Sequence, residues 1–257
     1  MMNTHVITLF NELALQNMRN FSRLPLVKSL ICSDNIVALT QELKGISDFY
    51  QVFLQKIGLL PGNIEYYRRS ISGTYEYFRS LRNTDQMVKE VLYCFPKKEL
   101  QVEESIIPIH VRYYDSSHLY LASGMSWTEN SKKVLMHLSE YSLPKDMVAM
   151  PPPNLSYLVD LLNEYNPSEI PSVRDLASIK GINYNRLQSD CKAYWEETFY
   201  RFFNKIKMVQ AVGDIIYTRF TMKEIAFRNK FSGYINMHRT FLSYGVSLND
   251  IPRLANH

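Results

Sequence analysis

The chain has 257 residues, 46% of them hydrophobic and 21% charged, with a formal net charge of +4. That length suits one large or two ordinary domains, and the balance of apolar and charged residues excludes a disordered chain in favour of a soluble globular one. The three cysteines, Cys32, Cys94 and Cys191, form no CxxC pair and have no adjacent histidine, which argues against a disulfide framework and a zinc site and leaves reduced structural thiols.

In chain order, Met1 to Phe10 has neither a basic start nor a sustained apolar run. No signal peptide or membrane helix is therefore expected, and the expected location is the cytoplasm. Apolar residues at threes and fours predict helices over Val6 to Met18, Ile36 to Ile57 and Ile64 to Tyr93, with breaks at Pro25, Gly58 and Leu60-Pro61-Gly62. Past Pro96, the β-rich runs 106–114 and 119–122 flank Asp115-Ser116-Ser117-His118, the pattern of a hairpin. A short helix over roughly Glu129 to Tyr141 is expected to close this part.

The aromatic residues Phe49, Tyr50, Phe53, Tyr66, Tyr67, Tyr75, Tyr77 and Phe78 are read as core rather than as a ligand pocket, since aromatic side chains dominate cores. Residues 1–150 thus read as a mainly helical α+β domain with a short β-hairpin, in a regulatory, sensor or dimerisation role.

Pro151-Pro152-Pro153 is stiff and extended and marks a linker. Asn154 after it is a good N-cap, and Leu155, Leu158, Leu161 and Leu162 fall at helical spacing until Asn166-Pro167. From residue 167 onward there are 13 Lys/Arg against 8 Asp/Glu, whereas the preceding part is close to neutral. A basic half of this kind supports a nucleic-acid site only when a motif points the same way.

Such a motif is present. Ser172-Val173-Arg174-Asp175-Leu176-Ala177 is echoed 49 positions later by Thr221-Met222-Lys223-Glu224-Ile225-Ala226, and Ile182 and Leu187 are answered by Phe231 and Met237. Each copy opens with a hydroxyl residue followed three positions on by a carboxylate, which is the capping box of a helix start. Each then breaks and resumes with a second amphipathic run, the outline of a helix-turn-helix unit. Thr198 to Tyr217 between them reads as one amphipathic helix with Phe199, Phe202, Phe203, Ile206, Val209, Gly213 and Ile216 on one face. Its length of roughly 30 Å is close to the ~34 Å between successive major grooves on one face of B-DNA.

These residues resemble the AraC/XylS family of transcriptional regulators over about Asn154 to Arg253. The resemblance is carried by 172–177, Leu187, Lys192, the run 198–208 with Ala211, and Ile215-Ile216. The second half adds Glu224-Ile225-Ala226, Phe231-Ser232, Arg239, Phe241 and Tyr244-Gly245-Val246-Ser247. The chain departs from the family pattern at Lys230 in place of a turn glycine, Met237 and Cys191 in place of aromatics, Leu242 in place of a lysine and Leu248 in place of a proline. The mainly helical N-terminal half does not look like the family's common β-barrel sensor.

The resemblance implies an all-α domain over 154–257 with two helix-turn-helix motifs. Each second helix would face DNA from its N-terminal end. With Asn183 and Ser232 as the expected caps, the base-reading candidates are Asn185, Arg186, Gln188 and Ser189 in the first copy and Tyr234, Ile235, Asn236 and Arg239 in the second, with Leu187, Met237 and Phe241 turned inward. Lys192, Lys205, Lys207, Arg219, Arg228, Lys230 and His238 are candidate phosphate contacts. Double-stranded DNA is the implied partner; RNA polymerase, a small-molecule effector and a second copy of the chain are further partners the family admits.

Catalysis is not expected. His5, His110, His118, His137, His238 and His257 are scattered without metal-ligand spacing, and there is no glycine-rich phosphate loop or nucleophile elbow among only 9 glycines. His110 and His118 of the hairpin could approach each other across its strands but read as surface residues. No catalytic residue, metal or cofactor is assigned. A protein-interaction module that keeps the helix-turn-helix fold without reading DNA is the competing expectation.

Overall fold

The computed structural model describes residues 2–3, 6–9, 12–13, 16, 20, 36–62, 65–68, 107–114, 116–129, 132–149 and 152–254. The protein is mainly helical, and among the described residues no helix is long and apolar enough to cross a membrane. A two-residue strand β1 (Met2–Asn3) is followed by a helical stretch at 6–9 and by α1 (Ile36–Lys56), the helix expected from 36 to 57. Strands β2 (Glu65–Arg68), β3 (Ile107–Tyr114), β4 (His118–Glu129) and β5 (Lys132–Pro144) follow, then β6 (Val148–Ala149), which pairs in parallel with β1.

Two compact units divide the chain. One comprises Ile7–Gln51 and Pro61–Met147; the other comprises Met1–Val6, Val52–Leu60 and Val148–Asn256. In the first, β2 to β5 form an antiparallel sheet in the order β2-β5-β4-β3. The expected hairpin is there as β3 and β4, with Tyr114 opposite Leu119, but it is the edge of a larger sheet.

Where a helix was expected over Glu129 to Tyr141, the chain instead ends β4 and forms β5, one of the two inner strands of the sheet. Val134, Leu135, Met136, Leu138 and Tyr141 fit either period, and pairing on both sides with β4 and β2 decides for the strand. Residues 65–68 likewise form a strand where a helix was expected from Ile64, while 69–93 lie outside the described residues, as do Tyr75, Tyr77 and Phe78. His110 is opposite Ser123 and His118 opposite Pro144, so the two histidines are not cross-strand partners.

The second unit is built from α2 (Tyr157–Glu164), α3 (Val173–Ile179), α4 (Tyr184–Trp195), α5 (Phe199–Tyr217), α6 (Met222–Arg228) and α7 (Tyr234–Ser243). Asn154 is not a helix cap: it lies in a 3-10 turn, Pro153–Leu155, and Ser156 takes the cap position of α2. The repeat appears as two helix pairs, α3 with α4 and α6 with α7. Ser172 Oγ accepts a hydrogen bond from the Asp175 N–H at 3.2 Å, and Thr221 and Glu224 form a full reciprocal capping box.

Both short helices then end in the same C-terminal turn. The Ile182 N–H donates to Ala177 O at 2.8 Å and the Phe231 N–H to Ala226 O at 2.9 Å, each spanning a residue of positive φ, Gly181 at 64° and Lys230 at 58°. Lys230 therefore holds the same left-handed conformation as Gly181 in the first pair, at a backbone cost of about 1 kcal/mol. Its ammonium donates to Tyr165 O at 3.0 Å, which offsets part of that cost.

The unit does not begin at the proline linker, because Val52–Leu60 belongs to it. Phe53, Leu54, Ile57, Leu59 and Leu60 are buried, Phe53 stacks on Phe241 with ring centroids 6.3 Å apart, and Lys56 Nζ donates to Gly245 O at 3.0 Å. The turn after α1, closed by Leu59 N–H to Leu54 O at 2.9 Å with Gly58 at φ 67°, sets Leu59 and Leu60 against the same core. This segment lies about a hundred residues before the unit's other helices, so no local pattern could have assigned it there. Phe53→Ala is expected to lower stability by about 3 kcal/mol, measured by denaturant unfolding of the full-length chain.

Candidate nucleic-acid interface

The first turn of α4 is held open and exposed by its cap. Asn183 Oδ1 accepts hydrogen bonds from the N–H groups of Asn185 at 2.9 Å and Arg186 at 3.1 Å, as expected from the sequence. Leu187 and Cys191 are fully buried, which turns Asn185, Arg186 and Ser189 outward to solvent. Gln188 differs: it is half-buried, and its Oε1 is buried without a hydrogen-bond partner among the described residues. It lies at the margin of the outer face because its position on the helix is adjacent to the buried stripe.

Arg186 has its Nε 3.7 Å from Asp190 Oδ2, with the guanidinium side largely in water. Asp190 is held in turn by the Tyr157 hydroxyl, which donates to Oδ2 at 2.6 Å; burial, then this hydrogen bond, raises the Tyr157 pKa. Lys192 is exposed on the same helix. Arg174, absent from the sequence-based candidates, packs its guanidinium 5.0 Å over the Tyr184 ring and so adds a cation beside the first turn of α4. Only the contact between the two helices reveals it, since Arg174 belongs to α3.

In α7, Met237 and Phe241 are fully buried, and Tyr234, Ile235, Asn236 and Arg239 are exposed. Ser232 is not the cap; Gly233 takes that position, and no side chain caps the helix. His238 is half-buried with its ring 5.8 Å from that of Tyr234. Arg228, the last residue of α6, is exposed, 4.3 Å over the Phe220 ring, with Nε 3.5 Å from Asp214 Oδ2. Arg219 is exposed.

Three predicted phosphate contacts do not reach solvent as free cations. Lys205 and Lys207 are each only 4% exposed. Lys205 is paired with Glu197 and lies 3.4 Å from Gly58 O. The Lys207 ammonium lies 4.3 Å over the Phe231 ring and 5.0 Å over Phe203, and donates to Lys230 O at 3.5 Å. Lys230 points its own ammonium at Tyr165 O and toward Phe203. These side chains point into the unit rather than line a surface.

Cys191 is a buried free thiol, pushed up to about 12 by burial and then by Asp190, which leaves it protonated and unreactive. Cys32 and Cys94 lie outside the described residues. Among the described residues no group of three or more His, Cys, Asp or Glu is placed to hold a metal. Comparison with known proteins gives no family model that matches the chain, no matching curated protein and no matching solved structure.

Burial pulls the Lys207 ammonium down from 10.5 to about 8, with the neighbouring Lys230 charge adding to the effect. Its folded pKa is below its unfolded one, so the charged form costs stability at neutral pH, and that cost fades as pH rises from about 8 toward 10. Lys207→Met keeps the apolar stem and removes the charge. It is expected to raise stability by about 1–2 kcal/mol at pH 7, with the gain shrinking by pH 9.5. Denaturant midpoints of both proteins at the two pH values check this.

Proposed function

We propose that the chain is a sequence-specific DNA-binding transcription regulator of bacterial type, similar to the AraC/XylS family, acting in the cytoplasm and not as an enzyme. In this reading α3–α4 and α6–α7 are two helix-turn-helix motifs, and α4 and α7 enter adjacent major grooves of double-stranded DNA. The observation that carries it is the pair of like-built helix pairs, each closed by the same turn and joined by a 19-residue helix. At 1.5 Å per residue α5 is about 28 Å long, near the groove-to-groove repeat.

The exposed side chains of α4 and α7 suit base edges: Asn185 and Asn236 can pair bidentately with adenine, and Arg186 and Arg239 with guanine. Lys192, Arg174, Arg219 and Arg228 are the cations on hand for phosphate. The part of the chain before residue 150 supplies control, through a small-molecule effector, a second copy or contact with RNA polymerase.

A second reading is a protein-interaction module that keeps the helix pairs without reading DNA. It is favoured by large apolar side chains on the second pair, with Phe227 and Ile235 each 66% exposed and Leu242 51% exposed.

A mobility-shift assay with genomic fragments across a salt series separates the two. The regulator shifts specific fragments, and its affinity falls steeply with salt as released counterions weigh against binding. Failure to shift any fragment specifically at low salt overturns it in favour of the interaction module. Arg186→Ala and Arg239→Ala are each expected to lose about ten-fold in affinity and to relax preference at one base pair; a loss uniform across sequences would put these side chains on phosphate instead.

A further inference from the structure

We infer that Ile235 reads the 5-methyl group of a thymine, so that the half-site under α7 is specified by a methyl contact while the half-site under α4 is specified by hydrogen bonds. This rests on the DNA-binding reading above. Ile235 is the second residue of α7, and 66% of it is exposed, although Met237 and Phe241 on the same helix are fully buried. The helix is therefore anchored on its inner side, and Ile235 contributes nothing to the core.

The chemistry around it selects the occupant. The α7 sequence carries no carboxylate, and Arg239 and Asn236 flank Ile235 on the exposed side, so its exposed face suits an anionic partner such as the DNA of the reading above. A branched aliphatic group makes no hydrogen bond to any base edge. In the major groove thymine alone among the four bases offers an apolar group, its 5-methyl, and covering any other base there would strip donors or acceptors of water without replacement. The outward residues of α4, namely Asn185, Arg186 and Ser189, are all hydrogen-bonding groups, so the two helices ask for different features.

The test uses the full-length protein and duplexes that it selects from a random-sequence pool. Each thymine of the selected site is then replaced in turn by deoxyuridine, which keeps every hydrogen-bonding group and removes only the methyl. One thymine is expected to show about a four-fold weaker affinity on replacement, the value of one buried methyl. Ile235→Ala, a change at an exposed side chain, is expected to abolish that difference while DNA binding persists. If no thymine is sensitive, or if the difference survives in I235A, the methyl contact is wrong and the DNA-binding reading stands. If the pool yields no enriched sequence, both fall.

Discussion

Burial of α5 on more than one side is the constraint on which the rest of the second unit depends. Phe199, Phe202, Phe203, Met208, Ala211, Val212, Ile215 and Ile216 are all nearly or fully buried. At its start, Trp195 of α4 stacks on Phe202 with centroids 4.4 Å apart and planes 7° apart, and Tyr165 meets Phe203 edge-on at 4.8 Å. At its end, Asp214 accepts from the Asn229 side-chain amide at 2.8 Å, which also donates to Ile225 O, and the Leu254 N–H donates to Ile216 O at 2.9 Å. One helix thus holds the first pair by aromatic packing and the second by a buried amide. Because a packed core tolerates little displacement, the spacing of the pairs follows from the length of α5.

The same burial explains why counting charges overstated the available cations. A lysine in a sequence reads as a solvated point charge, but its four-carbon stem can follow an apolar surface and leave the ammonium wherever a partner waits. Lys205 finds Glu197, Lys207 finds two aromatic faces and Lys230 finds a carbonyl. Lys207 and Lys230 thereby share Phe203 without a carboxylate paired to either among the described residues, and ring faces and carbonyl oxygens stand in for an anion. The basic excess after residue 167 is partly internal; of the exposed cations, Arg174, Arg186, Lys192, Lys223, Arg228 and Arg239 lie on α3, α4, α6 and α7.

What was legible in the sequence was local. The caps Ser172, Asn183 and Thr221, the turn glycine at 181, Lys230 at the matching place and the inward residues Leu187, Met237 and Phe241 all follow from patterns a few residues long, whereas Asn154 and Ser232 are not the caps that such patterns suggest. On α5 the same logic went half wrong: Ile206, Val209 and Gly213 are half-buried, while Lys205, Lys207, Met208, Ala211, Val212 and Ile215 are buried. A single amphipathic stripe presumes one buried face, and a helix packed between two pairs has more. Long-range pairings escaped altogether. The inner strand β5 has an ambiguous period until its two neighbours fix it, and Val52–Leu60 joins a unit whose remaining helices begin after residue 156.

The two copies are not equivalent, and the reason is one residue. From the first helix of each pair the repeat runs at an offset of 49, Val173 to Met222, but the second helices start at Tyr184 and Tyr234, an offset of 50. Ser232 is the added residue, placed between the closing turn and the cap. In the first pair Asn183 follows Ile182 directly and caps α4 with two hydrogen bonds, whereas in the second pair the cap position falls to Gly233, which has no side chain to offer. The first-turn N–H groups of α7 are thus left without a side-chain acceptor, and α7 depends more heavily on Met237 and Phe241 for its position. Phe241 is the residue that Phe53 covers. The less well capped helix is therefore the one supported by a segment from the N-terminal part of the chain.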